Sequence, residues 1–398
     1  MNLKVSKWIK IIAVFLTLCA LISFTGCGSP EEIDESSVSD ESGQAGEPEN
    51  YHKVGFIFSE SVDSLNFSSM INDQRLLASN RSSMDTCYVD NVTIDGSSGF
   101  EKAVKLLADA GCTDIVSCSA NFTIVCRIMA GKYLNLNFIN YGATTGSANC
   151  LAYTEQPYQG AYIAGLAAGY NTKVRKIGVV ADSDLVYAMA VENAIALGVQ
   201  LVYKNSTTYI AEGHTDTEIE EAVNALLDNG CDVIVTYTGS AHAEEYCQRR
   251  GVKFIGNHDF SGREDNYSNM LMYYYCKRDD YLVATFKRMQ FDWTGENFTG
   301  NMGNGVVTVS NALKGSKDDL QKIIDEMKKN VSNGDAYIFD GTRGELIDNT
   351  GIVKCLQTYS LSESEIYGMD WRVMGSEAIG SYRKPNLNTP EVTIVVKE

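Results

Sequence analysis

The stretch that most constrains the fold runs from Glu155 to Asp182, EQPYQGAYIAGLAAGYNTKVRKIGVVAD. A polar and aromatic approach (Glu155, Gln156, Tyr158) leads into a small-residue helix expected over Ala161–Tyr170. The run Ile177 to Val180 then reads as a buried strand. Ala161, Gly165 and Ala168, with Ala164 and Ala167 beside them, keep the side chains short along one helix face. Glycine costs roughly 1 kcal/mol against alanine inside a helix. Gly165 and Gly169 therefore suggest that another backbone passes close to this helix, although ordinary packing of a helix on a sheet uses such a face as well.

On either side of this stretch the sequence alternates. Val54–Phe58 reads as a first buried strand, Gly99–Ala110 as an amphipathic helix, and Asp114–Val116 and Leu136–Ile139 as strands. Beyond it come Val186–Leu197 (helix), Leu201–Tyr203 (strand), Thr215–Asp228 (helix), Val233–Tyr237 (strand), Ala241–Arg250 (helix) and Val252–Ile255 (strand). Strands alternating with helices call for parallel sheets. AVKLLADAGCTDIVS (103–117) echoes AVNALLDNGCDVIVT (222–236). Two lobes of like topology would produce this echo, and so would any two helix–turn–strand units. After residue 273 the expected elements are a helix over Tyr281–Met289, a strand over Gly305–Ser310, a charged helix over Ser316–Val331 and a strand over Ala336–Phe339. Glu391–Val396 alternates like an edge strand.

A chain of 398 residues suits two lobes with appendages. Its first 26 residues are read as a leader: Lys4, Lys7 and Lys10 precede an apolar run, Ile11–Ile22, that is too short to span a bilayer. Cys27 follows directly on Gly26 and reads as a lipidation site, with a plain secreted protein as the alternative. Residues 27–50 read as a disordered tether, with eight acids and no lysine or arginine. The net charge of −18 becomes −21 without the three leader lysines and −13 without the eight tether acids, for residues 51–398. That field repels phosphate polymers and excludes nucleic acid as a partner. Of eleven cysteines, nine remain outside Cys19 and Cys27; the odd number and the lack of paired CxxC argue against a disulfide framework or a zinc site. Cys112 and Cys231 read as small buried residues. The four histidines show no metal-ligand spacing, and no cofactor motif is present.

Several segments resemble the basic membrane protein family of lipoprotein substrate-binding subunits of ABC transporters, to which the purine nucleoside receptors belong. They are Glu155 followed by Tyr162-x-Ala-Gly-x-x-Ala168 and Ile177-Gly-Val-Val180, Asp63-Ser-Leu-Asn-Phe67 after the first strand, Gly341–Gly351 (GTRGELIDNTG), and Met369-Asp-Trp371 with Gly375. The resemblance implies a type I periplasmic-binding-protein fold: α/β, with two Rossmann-like lobes and a ligand cleft between them. The corresponding division places 51–375 in a two-lobed domain. The first lobe is about 51–157 and 273–335, the second about 158–272 and 336–375, with a C-terminal extension over 376–398.

The resemblance also supplies candidate ligand-binding residues. Asp63, Asn66 and Phe67 fall at the cleft end of the first strand, with a helix start (Asp as cap, Phe in the core) as the plainer reading. Asn121 and Phe122 follow a strand, where a loop asparagine is as often a turn residue. Glu155 and Tyr158 lie at the first crossover and would line the cleft or pack the hinge. Gly239 and Ser240 form a small-residue turn for close ligand approach. His258 occupies the position of the family's ribose-binding aspartate, with Asp259 one step on. Lys277 lies where the family has its ligand lysine; a solvated side chain is the alternative. No catalytic and no metal-binding residue is expected. The implied function is capture of a nucleoside, purine above all, by lobe closure at the outer face of the cell membrane, with ABC permease subunits as partners. The rival readings are a sensor of the same fold signalling to a membrane kinase and, third, a nucleoside-processing enzyme, for which Asp63 and Asp259 are too isolated.

Overall fold

The computed structural model describes residues 52–64, 66–93, 97–289, 296–334, 336–380 and 395–398. The leader, the tether, Cys27 and residues 391–394 of the expected edge strand lie outside them. The first half of the domain builds β1 (Lys53–Ile57), β2 (Asp85–Val89), β3 (Asp114–Ser117), β4 (Asn137–Tyr141) and β5 (Cys150–Glu155). They pair in parallel in the order β2-β1-β3-β4-β5. The helices α1 (Phe67–Ser82), α2 (Ser97–Asp109) and α3 (Thr123–Lys132) connect them.

After Glu155 the chain crosses to a second lobe. It opens with α4 (Tyr158–Asn171) and β6 (Lys176–Ala181), then α5 (Ala188–Val202), β7 (Thr207–Glu212), α6 (Asp216–Asp228), β8 (Val233–Tyr237), α7 (His242–Arg250), β9 (Lys253–Gly256) and β10 (Met270–Cys276). The order β7-β6-β8-β9-β10 repeats that of the first sheet. The echoed segments 103–117 and 222–236 each lead into the third strand of their own sheet.

A second crossing at Lys277 returns the chain to the first lobe, where α8 (Arg278–Met289) packs on α1 and β11 (Phe298–Gly300) joins the edge of β5. The third crossing comes at 301–306. From there β12 (Val307–Val309) pairs antiparallel with β10, and α9 (Leu320–Ser332) packs on α4. The return to the second lobe expected at 336 therefore occurs ahead of β12. Residues 336–380 wrap the second lobe through the hairpin of β13 (Leu346–Ile347) and β14 (Val353–Cys355), the short α10 (Glu363–Tyr367) and β15 (Ser376–Ala378), which adds to β7. The last described residues lie on the first lobe: Lys397 bridges Tyr88 of β2, and its ammonium lies 3.0 Å from Asp90.

Two expected strands are corrected. Leu201–Tyr203 is the last turn of α5 and its cap, because the apolar face of that helix runs on through Val199; the strand is Thr207–Glu212. Ala336–Phe339 is not a strand but an irregular segment that buries Ala336, Ile338 and Phe339 against the second lobe.

The glycines of α4 act as expected. A Cβ on Gly165 would lie 2.0 Å from the Ile195 carbonyl oxygen, and one on Gly198 would lie 2.1 Å from that of Tyr162. Here α4 and α5 touch backbone to backbone, with Ala161, Ala164 and Ala168 fully buried beside the contact. Cys112 and Cys231 are buried. No helix among the described residues is long and apolar enough to cross a membrane.

Candidate ligand cleft

Residues that follow β1, β6, β8 and β9, together with the end of β10, border one small cavity of about 30 Å³ between the lobes. They include Phe67 and Met70 on the first lobe, and Leu185, Tyr237, Thr238, Asn257 and Tyr275 on the second. This is the carboxyl-end crevice that parallel α/β sheets create. A wider cavity of about 380 Å³ adjoins it outward, bordered by Asn66, Gly239, Ser240, His258, Asp259, Tyr275 and Lys277.

The floor of the inner cavity is Arg278, held from beneath by a buried ion pair with Glu155 of the other crossover. Arg278 donates from Nη2 to Glu155 Oε2 at 2.6 Å, and the two side chains are 7% and 2% exposed. Glu155 also accepts from the hydroxyls of Tyr153 (2.5 Å) and Tyr141 (3.3 Å). The guanidinium stands 5.4 Å from the centre of the Phe67 ring. Burial opposes the charge on Arg278, yet Glu155 outweighs it and holds the guanidinium's pKa well above its usual value. The Nε of Arg278 has no hydrogen-bond partner among the described residues.

A second polar centre supports the loop after β9. Glu244 of α7 is fully buried and accepts from Thr236 Oγ1 (2.9 Å) and the Asn257 amide (3.0 Å), with His258 Nδ1 at 2.8 Å. Burial alone would raise its pKa; His258 and the hydroxyl of Thr236 hold it below the usual carboxylate range. The opposite nitrogen of His258, Nε2, is buried without a partner among the described residues. Asn257 is used up locally, accepting from the Thr238 amide and donating to the Thr238 carbonyl.

The lobes meet across this cleft. A Cβ on Gly239 would lie 3.1 Å from the Phe67 amide nitrogen, so glycine permits the approach of α1. Tyr187, held at φ 63° at the head of α5, places its hydroxyl 2.8 Å from Thr154 Oγ1 of the first lobe and donates to Glu363 at 2.7 Å. A left-handed conformation is costly for so bulky a residue; it occurs where the side chain bridges the lobes.

The structure gathers Asn66, Gly239, Ser240, His258, Asp259 and Lys277 on the outer cavity and Phe67 on the inner one. Others go elsewhere. Asp63 is 78% exposed and faces Lys397, 3.8 Å away. Asn66, not Asp63, caps α1: its Oδ1 accepts from the Ser69 amide and its Nδ2 donates to the Ser61 carbonyl. Phe122 packs against Phe100 in the first-lobe core, because the short helical turn 120–122 points it inward, while Asn121 is exposed. Tyr158 is buried in the second lobe and donates to Glu363. Asp259 accepts from the amide and hydroxyl of Ser261, and Lys277 bonds Asp280 at 2.7 Å. Sequence reasoning missed Arg278, Tyr237, Asn257 and Tyr275. The basic pair Lys277-Arg278 at a strand end and the run YYYC (273–276) were the signals that could have found them.

Two lobes of like topology, joined by three crossings around a buried polar floor, define a solute receptor of the type I periplasmic-binding-protein fold. Solved structures share it: a solute-binding protein from Aeropyrum pernix superimposes with a TM-score of 0.61 at 15% identity, covering 71% of this chain and 92% of that one. A transcriptional activator of the comK gene from Bacillus halodurans does so with a TM-score of 0.60 at 18% identity, covering 71% and 98%. The family described as ABC transporter substrate-binding protein, PnrA-like, matches residues 51–335, and the chain belongs to this Bmp family of substrate-binding proteins, which are not enzymes. A purine-binding protein of Brucella abortus is 22% identical over 311 residues, 75% of this chain and 86% of that protein. Metabotropic glutamate receptor-like protein H of Dictyostelium discoideum is 25% identical over 233 residues, 55% of this chain but only 30% of that protein.

Proposed function

We propose that this substrate-binding protein captures a purine, as nucleoside or base, and hands it to an ABC permease. The observation that carries the reading is the cleft between the lobes: Phe67 and Tyr275 border a small inner cavity that adjoins an outer one of about 380 Å³, beside a buried guanidinium with an unused Nε–H. Aromatic rings and a few fixed polar groups are what a heteroaromatic ligand needs. The purine-binding relative from Brucella supports the same ligand class. Phe67 and Tyr275 would contact the base, Arg278 Nε–H would meet an acceptor atom and His258 Nε2 a donor, and Gly239 and Ser240 would form the closing wall. Asp259 and Lys277 stand at the outer edge, within reach of a sugar. The leader and Cys27 support an extracytoplasmic, lipid-anchored location.

A thermal-shift series with purine nucleosides, purine bases, sugars and amino acids tests the ligand. A ligand at 100 times its Kd stabilises the fold by about 2.7 kcal/mol, so purines are expected to raise Tm and Phe67→Ala to abolish the rise. A shift with sugars or amino acids alone overturns the purine reading and leaves the receptor. Radiolabelled palmitate incorporation that is lost in Cys27→Ala tests the anchor. A second reading, a sensor that signals instead of delivering, draws on the comK activator and the receptor-like relatives; failure of purine uptake to depend on the protein would favour it.

A further inference from the structure

Outside the ligand cleft, a second polar cluster spans the seam between the lobes. His214 follows β7 and presents both ring nitrogens to carboxylates. Its Nδ1 lies 2.9 Å from Asp182 Oδ2 and 3.7 Å from Asp184 Oδ2, both in the loop after β6 of its own lobe. Its Nε2 lies 3.6 Å from Oε1 of Glu60, in the loop after β1 of the opposite lobe. Donor atoms of Asp182, Asp184 and His214 all fall within 4.8 Å of one another. Ligand atoms around a tetrahedral ion at N and O distances near 2.1 Å stand about 3.4 Å apart. The distances of 2.9 and 3.7 Å bracket that value.

The arrangement on the far side of the ring is the one metal sites use. A metal-ligating histidine commonly gives its other ring N–H to a carboxylate, which fixes the tautomer and orients the ring. Glu60 stands on that side, 3.6 Å from Nε2 and just beyond hydrogen-bond distance. The cluster also opens onto a cavity of about 410 Å³ that leaves room for ion entry and water ligands. Its border adds Glu212, Glu218 and Glu221 and includes no lysine or arginine among the described residues. Arg372 reaches Glu212 from outside that border, at 3.3 Å.

We propose that Asp182, Asp184 and His214 form a binding site for a divalent transition metal, with Glu60 holding the opposite ring nitrogen from the other lobe. One imidazole nitrogen with two carboxylates suits zinc or cobalt better than calcium or magnesium, which take oxygen ligands alone. The ion takes the Nδ1 lone pair. Where the ring starts as imidazolium, its Nδ1 proton passes to solvent, one per ion bound, while Nε2–H stays directed at Glu60. Nδ1 already lies at hydrogen-bond distance from Asp182, so metal and proton compete for this nitrogen, and mildly alkaline buffer is the setting for the test. A bound ion ties the ring that meets Glu60 to two loops of the second lobe, and so links metal occupancy to the meeting of the lobes. The proposal does not depend on which solute the cleft takes.

The test is equilibrium dialysis of the chelator-treated full chain against Zn²⁺ at pH 8, without solute, followed by Co²⁺ absorption spectroscopy. One Zn²⁺ per chain is expected. Retention should be lost in His214→Ala and weakened by about tenfold or more in Asp184→Asn; Glu60→Gln should weaken it by about tenfold through loss of the carboxylate on Nε2. Co²⁺ should give a visible ligand-field band that His214→Ala removes. Melting curves of the variants guard against misfolding; should His214→Ala fail to melt cooperatively, Asp184→Asn, at an exposed position, carries the comparison. No retained ion, or equal retention by the wild-type and Asp184→Asn chains, overturns the proposal.

Discussion

At the scale of single residues, Arg278 and Glu155 decide whether the cleft has a floor. Removing one member of a buried ion pair leaves an uncompensated charge, which costs about 3–5 kcal/mol, whereas replacing both with apolar groups is often neutral. Arg278→Met is therefore expected to lower stability by about that amount, and Arg278→Met with Glu155→Leu to recover most of it; a double-mutant cycle from urea denaturation measures the coupling. A second buried carboxylate sets a pH window. Burial raises the pKa of Glu192, 1% exposed, to about 7, even though Arg372 Nε donates to it at 2.9 Å. A group whose pKa is raised on folding contributes stability below its unfolded value and loses it as pH climbs through the folded one. The contribution of Glu192 should be complete below about 4.5, decline to pH 7, and amount to roughly 3 kcal/mol at a conversion of about 1.4 kcal/mol per pH unit. Across pH 4.5–7.5 the urea midpoint of wild type should fall relative to that of Glu192→Gln as pH rises, and parallel curves would refute it. These residues were the least legible in the sequence. Lys277 and Arg278 are neighbours, but only one side chain turns inward at a strand-to-helix junction, and periodicity does not resolve a single position. Glu244 and His258 lie on different elements and meet only in the fold.

At the scale of elements, the helix α4 was legible because its constraint is steric and local. Gly165 and Gly198 each sit under a carbonyl of the partner helix, and the small-residue stripe of α4 carries that requirement in its spacing alone. The energetics make it testable by sign. Gly→Ala in an open helix position gains up to about 1 kcal/mol. Gly131 in α3 has nothing within 4 Å of a new Cβ, so Gly131→Ala should stabilise. Gly165→Ala forces a methyl to 2.0 Å from the Ile195 oxygen; it should destabilise by about 3 kcal/mol or more, because close-packed helices have no room to yield. Thermal denaturation of the pair of variants reads both signs at once, and a stabilised Gly165→Ala would remove the backbone contact from the account. The misread Leu201–Tyr203 shows the opposite limit. A short apolar run satisfies strand and helix patterns equally, and only the preceding turns of α5 settle it. Helix α1 was not legible because its polar run, FSSMINDQRLLASNRS, has almost no apolar periodicity; its start is fixed by the Asn66–Ser69 capping box instead.

At the scale of the molecule, the plan of two similar lobes was legible from the alternation and from the echo of 103–117 in 222–236, since each lobe repeats the same strand order. The third crossing was not, because β11 and β12 are three-residue strands whose sheet membership depends on the partner edges. The proposed capture of solute depends on how freely the lobes part and meet. Gly239 faces the start of α1 across the seam, and a Cβ there would press on the Phe67 amide at 3.1 Å. That contact exists only when the lobes are together. A larger side chain should therefore leave the open state untouched and penalise the closed one, and ligand affinity should fall in proportion to the closed population. Gly239→Val is expected to keep the Tm of the ligand-free chain within about 2 °C, since a seam contact lies outside both cores, while weakening solute binding by about tenfold or more. Small-angle scattering separates the two causes of such a loss. A variant that stays extended when solute is added has lost closure, as the geometry requires. A variant that compacts like wild type, yet binds weakly, would place Gly239 in the ligand contact itself and not in the meeting of the lobes.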